Sequence, residues 1–156
     1  MSEVWGLDLA TIRWETLPAL LCVRHGHACC AVRGALVVLG GVAPGVGVPQ
    51  GLNVVTSRVE MLLKGARAFV ELPPLSCGAI YGAAAIAVDE THSTSGQVLL
   101  LGGRNHDGTA TSSMRLVDLA TDVCTPQADL LNACSLFAAA RLLDRGIVCA
   151  GDGDGP

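Results

Sequence analysis

The side chains best suited to metal chemistry form one cluster near the N-terminus. It contains Cys22, His25, His27, Cys29 and Cys30. Thiolates and imidazoles suit zinc, and two histidines two positions apart on a strand share one face. The spacing matches no zinc module, however, and this region otherwise reads as an ordinary strand. We therefore predict no metal site and no cofactor for this chain.

Motifs for nucleophilic catalysis give no stronger signal. No Ser-His-Asp arrangement has support in the sequence, and the Gly-x-Ser-x-Gly motif of an exposed catalytic serine does not occur. We predict that the chain is not an enzyme.

A short polar run offers a different kind of chemistry, namely binding. It consists of Arg104, Asn105, His106 and Asp107, and it stands between an aliphatic segment and a stretch of small residues. The four side chains combine hydrogen-bond donors and acceptors with charges of both signs. Binding residues concentrate on loops that a rigid scaffold positions. We predict these four as binding residues.

The composition excludes several classes of protein. Apolar residues make up 51% and charged residues 15%, which disfavours disorder. The net charge of -4 and the scattered basic residues disfavour a nucleic-acid surface. Apolar runs fall short of the roughly 18 residues of a membrane span, and a secretory signal is not recognisable. Seven irregularly spaced cysteines favour reduced, buried thiols, so we predict a cytoplasmic protein.

An internal repeat organises the elements that position these residues. The tetrapeptide Asp-Leu-Ala-Thr begins at Asp8 and again at Asp118, and a weaker copy lies midway, at Leu63. In the first and middle copies an aliphatic residue is followed seven positions later by Trp14 or Phe69, and then by Leu-Pro. A fixed period in this range is typical of a repeat array.

Short apolar segments separated by turn signals fill the repeat and predict an all-β chain of twelve strands. Residues 42–53 are predicted to form a loop. Gly82–Ala87 and Phe137–Leu143 are rich in alanine, which by itself favours helix. Each precedes an aliphatic segment that ends in glycine, so we predict strands at both places.

The chain resembles the kelch repeat. An aliphatic strand with a terminal Gly-Gly occurs at Leu36–Gly41 and Val98–Gly103, and a hydrophobic-Asp pair occurs at Leu7-Asp8 and Val117-Asp118. The aromatic residue seven positions later is Trp14 or Phe69, and the Leu-Pro after it is Leu17-Pro18 or Leu72-Pro73. The sequence Arg-x-x-His-Ala at the beginning of a strand is Arg24–Ala28. The third copy has Cys124 at the aromatic position.

Similarity to kelch proteins implies a β-propeller whose blades are four-stranded antiparallel sheets. Residues 1–156 would then be an incomplete propeller. The expected boundaries are 1–18 for the end of a first blade, 19–74 for a second blade, 75–127 for a third, and 128–156 for the start of a fourth. Propellers have about four to eight blades, so three blades are too few for a ring. The leading hypothesis is a fragment of a longer propeller; the alternative is a homodimer in which two chains close one six-bladed ring.

The resemblance also implies a function. Kelch proteins often bind other proteins as adaptors through loops on the propeller rim, and Arg24 resembles a position from which they present arginine to acidic groups. We therefore predict an adaptor that binds a protein partner, with no nucleic acid and no membrane, and add Arg24 to the binding residues. The rival hypothesis is a non-catalytic fragment of a propeller enzyme that acts on sugars or other small molecules.

Two measurements follow from this interpretation. If Trp14 fills an apolar layer between blades, Trp14→Ala is expected to cost about 3–5 kcal/mol of unfolding free energy. Light scattering distinguishes the two hypotheses on the ring, because a stable monomer excludes the paired ring and aggregation favours the fragment.

Overall fold

The computed structural model describes residues 2–45, 47, 49, 51–88, 96–142 and 146–151, and over these ranges the fold is all-β. The all-β prediction is confirmed. None of the described segments forms an apolar helix of membrane-spanning length. The strands are β1 (Val4–Asp8), β2 (Arg13–Leu17), β3 (Ala28–Val32), β4 (Ala35–Leu39), β5 (Val42–Pro44), β6 (Asn53–Val55), β7 (Val59–Leu62), β8 (Val70–Leu72), β9 (Ala84–Val88), β10 (Gln97–Leu101), β11 (Met114–Asp118), β12 (Cys124–Pro126), β13 (Ala138–Leu142) and β14 (Gly146–Ala150).

The strands form antiparallel sheets in which each strand pairs with its nearest neighbour of the same sheet along the chain. Two sheets are four-stranded: β3-β4-β7-β8, called the second sheet, and β9-β10-β11-β12, called the third sheet. The first hairpin, β1-β2, and the last hairpin, β13-β14, form two-stranded sheets on either side of these two. A further hairpin, β5-β6, extends from the connection between β4 and β7.

The central strands β4 and β10 are buried on both faces, which explains their continuous aliphatic sequence. On β4, Val37 and Leu39 face the third sheet while Val38 faces the first hairpin. On β10, Leu100 faces the second sheet and Leu101 faces the last hairpin. Three apolar layers therefore separate four successive sheets.

The glycine doublets after these strands occur where a side chain would clash with the backbone of the next sheet. Gly40 and Gly102 both have positive φ, and a Cβ on Gly40 would lie 2.3 Å from the carbonyl oxygen of Ile80. A Cβ on Gly102 would lie 2.5 Å from the carbonyl oxygen of Cys134. Because the backbone of each sheet approaches that of the next this closely, side chains are excluded from these positions.

Equivalent hydrogen bonds recur at the interval of the sequence repeat. The amide of Leu20 donates to the carbonyl of Ser2 at 2.9 Å, and Leu75 donates to Ser57 and Leu130 to Ser112 at 2.8 Å. Neighbouring sheets are also joined directly, because Gly82 donates to Gly26 O and Leu136 donates to Gly82 O, both at 2.7 Å. The same local geometry is thus built three times.

Strands occupy most of the two alanine-rich segments, as predicted: β9 begins at Ala84 and β13 covers Ala138–Leu142, while Leu143 lies outside the described residues. β9 and β13 pair along their whole length with β10 and β14, so the ladder hydrogen bonds and the apolar layers override the helical preference of alanine. The prediction of a plain loop over residues 42–53 is wrong. Val42–Pro44 pairs with Asn53–Val55, and this hairpin raises the strand count from twelve to fourteen over the described residues.

Trp14 does not lie in an apolar layer. Its side chain is 68% exposed, whereas Phe69, at the equivalent position of the second sheet, is 3% exposed. The first hairpin turns its other face, with Val4 and Leu17, onto the cluster that contains Phe69. The predicted cost of Trp14→Ala is therefore wrong for this structure.

Phe69→Ala and Trp14→Ala form a matched pair. We expect Phe69→Ala to lower the free energy of unfolding by about 3–5 kcal/mol, because it leaves a cavity between the first two sheets. Trp14→Ala should lower it by less than about 1 kcal/mol, since a largely exposed side chain loses little on truncation. Urea denaturation of both variants measures the difference, and equal losses would contradict the assignment of the two faces.

Candidate functional site

Four of the five predicted binding residues lie on the loop that connects β10 and β11. This loop begins with Arg104, whose backbone pairs with that of Tyr81, with N···O distances of 2.7 and 3.1 Å. Arg104 also forms a bridge with Ala110, and the amide of Asn105 donates to Thr109 O at 3.0 Å. Residues 104–110 are therefore a tight hairpin-like loop, which we call the recognition loop.

Asp107 stabilises the tip of the recognition loop. Its carboxylate oxygen Oδ1 accepts a hydrogen bond from the amide of Thr109 at 2.8 Å. This bond, the Thr109 hydroxyl and the neighbouring His106 lower the pKa of Asp107 below its usual value. The exposed tip therefore carries a negative charge at neutral pH.

Arg104 fixes the loop to its surroundings. Its Nη1 donates to Gly108 O at 2.8 Å, and its Nε donates to Ser135 Oγ at 3.0 Å. The guanidinium therefore spans from the recognition loop to the segment that leads into β13. Asn105 and His106 are exposed at the tip.

Arg24 lies apart from this loop, in the interior. It is 4% exposed, and its Nη1 donates to Gly40 O and to Arg58 O, both at 3.0 Å. Its Nη2 forms an ion pair with Glu60, which is 1% exposed. Arg24 therefore connects the segment before β3 to the glycine doublet and to β7. The structure does not bring it together with the other four predicted residues.

Glu60 is the important residue that sequence reasoning missed. Besides binding Arg24, its carboxylate accepts hydrogen bonds from the amides of Leu21, at 2.7 Å, and Cys22, at 3.1 Å. These bonds satisfy two part-buried backbone amides of the segment that links the first hairpin to the second sheet. The sequence Val-Glu-Met-Leu reads as an alternating strand with its carboxylate in solvent, so no sequence signal marked Glu60.

The Cys/His cluster does not form a metal centre in the described part of the chain, which includes all five of its residues. No three His, Cys, Asp or Glu side chains there are placed to bind one ion. His25 is exposed. Burial, followed by the charge of Arg24, lowers the pKa of His27, so His27 is neutral at pH 7.

The cysteines are less buried than predicted. Cys29 and Cys149 are exposed, and the other five are partly exposed, so the prediction of buried thiols is wrong. None of the seven, all of which lie in the described part of the chain, forms a disulfide. Cys30, Cys77 and Cys124 are partly buried and pack against the apolar cluster between the two four-stranded sheets.

Comparison with known proteins adds no relative. Neither the models of protein families nor the curated protein sequences give a match to this chain.

Two glutamates on neighbouring strands allow a controlled test of the buried ion pair. We expect Glu60→Ala to destabilise the fold by about 3–5 kcal/mol, because it leaves the charge of Arg24 buried without its partner. Glu71 pairs with Arg58 at 3.0 Å, but both side chains are half-exposed. Glu71→Ala should therefore cost only about 0–1 kcal/mol. Urea unfolding measures both, and a small loss for Glu60→Ala would refute the structural role of the pair.

Proposed function

We propose that this chain is part of a kelch-type β-propeller that binds another protein through the recognition loop. One observation carries the proposal. Two successive four-stranded antiparallel meanders lie face to face, with equivalent hydrogen bonds repeating at the interval of the sequence repeat. Radially repeated four-stranded sheets of this kind are the building blocks of propellers.

The position of the recognition loop supports a binding role. It leaves the end of a central, largely buried strand, and Tyr81 and Ser135 hold it from two neighbouring segments. A loop fixed in this way loses little conformational freedom when a partner binds, which favours affinity. Asn105, His106 and Asp107 stand at its exposed tip.

The chemistry of the tip indicates what the partner should offer. Asp107 is anionic, and a carboxylate accepts several hydrogen bonds, so a basic or amide-bearing surface complements it. Asn105 both donates and accepts hydrogen bonds. We therefore propose a partner protein that presents arginine or lysine beside backbone or amide groups.

The proposal includes further sheets at both ends of the stack. Trp5, Leu7 and Trp14 leave an apolar face exposed on the first hairpin, and Leu142 and Val148 do so on the last. Exposed apolar patches of this kind mark association surfaces. The opposite face of each hairpin is covered by a neighbouring sheet, and we propose that blades of the same architecture cover the outer faces.

Site-specific photo-crosslinking in cells tests the binding role. A benzophenone amino acid replaces His106 in one variant and Ala120 in a control variant. Ala120 is also exposed, but it lies in the turn at the opposite end of the same sheet. We expect a discrete protein adduct from position 106, weakened by Asn105→Ala, and none of that mass from position 120.

Adducts of the same mass from both positions would contradict binding through the recognition loop. The absence of any adduct from position 106, with the chain folded and expressed, would contradict it as well. An adduct at 106 that Asn105→Ala does not weaken would show that the tip lies near a partner without recognising it.

A further inference from the structure

The segment between β8 and β9 lies against the turn between β11 and β12, at the outer edge of the interface between the second and third sheets. Pro73 and Leu75 line a small cavity together with Val117 and Asp122. Ser76 Oγ donates a hydrogen bond to the carbonyl of Asp122 at 2.6 Å. These contacts hold the segment between β8 and β9 against the turn between β11 and β12, although the two are far apart in the sequence.

The Ser76–Asp122 hydrogen bond brings Cys77, the residue after Ser76, towards Cys124, two residues after Asp122. Both cysteine side chains pack against the apolar cluster between the two sheets. Each thiol is also the largest influence on the pKa of the other. Each is only partly buried, so small solutes reach the pair. Cys29 and Cys30, by contrast, are adjacent on β3 and point to opposite faces of the sheet.

The two thiols differ in character. The interaction with Cys77, with smaller contributions from the hydroxyl and amide of Ser76 and the amide of Cys77, lowers the pKa of Cys124. The same interaction and burial raise the pKa of Cys77. The pair therefore favours a thiolate on Cys124 beside a protonated Cys77. A thiolate beside a protonated thiol is the arrangement of an attacking and a resolving cysteine.

We propose that Cys77 and Cys124 are a redox-active pair that closes to a disulfide and thereby fastens the edge strand β12 to the segment before β9. This inference does not depend on the proposed binding function. It assigns a modification site to a position where the kelch resemblance leads one to expect an aromatic side chain.

The oxidant is a low-molecular-weight disulfide of the glutathione type. The Cys124 thiolate attacks one sulfur of this disulfide, forms a mixed disulfide and releases the other sulfur as a thiolate, which takes up a proton. Cys77 then gives up its proton and attacks Sγ of Cys124, which expels the second thiolate. The two protein thiols lose two electrons, and the oxidant is reduced to two thiols.

The disulfide would close a loop that contains β9, β10 and β11. Loops of this size gain stability because the cross-link restricts the unfolded chain. The bond also prevents β12, a short edge strand of three residues, from separating alone. We expect a rise in Tm of about 5–15 °C upon oxidation, reversed by a reductant.

Oxidation of the purified chain with oxidised glutathione tests the proposal. Free thiols are blocked after each time point, and peptide mass spectrometry locates the disulfides. We expect a Cys77–Cys124 cross-linked peptide to form first, together with the rise in Tm. In the reduced chain at pH 7, iodoacetamide should label Cys124 before Cys30, because burial raises the pKa of Cys30 to about 12.

Two variants complete the experiment. Cys77→Ser should trap Cys124 as a mixed disulfide with glutathione and abolish the rise in Tm. Cys29→Ser removes an exposed thiol elsewhere and should leave the disulfide and the rise in Tm unchanged. The proposal is overturned if Cys77 and Cys124 stay reduced while other thiols of the wild-type chain oxidise, or if the cross-link forms without changing Tm.

Discussion

Burial of apolar side chains between successive sheets is the interaction on which the rest of the structure depends. Val37, Leu39, Val98 and Leu100 are almost completely buried in the layer between the two four-stranded sheets. A single sheet of this kind has two apolar faces and therefore needs a neighbour on each side. Close approach at the inner strands then excludes side chains at positions such as Gly40. The glycine doublets of the sequence are thus a consequence of the layers.

Polar groups occupy two very different environments within this framework. Inside, Glu60 satisfies both the charge of Arg24 and two backbone amides, so it holds the linking segment in place. At the loop end, the recognition loop uses Asp107 and Arg104 for its own geometry and leaves Asn105 exposed. The same interaction types therefore stabilise the interior and order an exposed loop at the surface.

Local patterning predicted the strands, and contacts between distant segments account for what it missed. Aliphatic runs ending in glycine located β4 and β10, and their repetition kept the alanine-rich β9 and β13 as strands. The polar run after Val98–Gly103 located the recognition loop. Within the described residues Trp14 has no sheet against its face, whereas Phe69 does. Arg24 is held in the interior by Glu60 and by the carbonyls of Gly40 and Arg58. Neither fact has a local signal, and the proximity of Cys77 to Cys124 has none either.

Hydrogen bonds such as those from Gly82 to Gly26 O and from Leu136 to Gly82 O connect each sheet only to the next. Stability in such a linear array is a sum of terms for individual units and for nearest neighbours. The terminal hairpins have one neighbour each, whereas the two four-stranded sheets have two. Local unfolding of this chain therefore begins at the two terminal hairpins, while the two four-stranded sheets stay folded. Backbone amides of the hairpins then exchange with solvent faster than those of the four-stranded sheets.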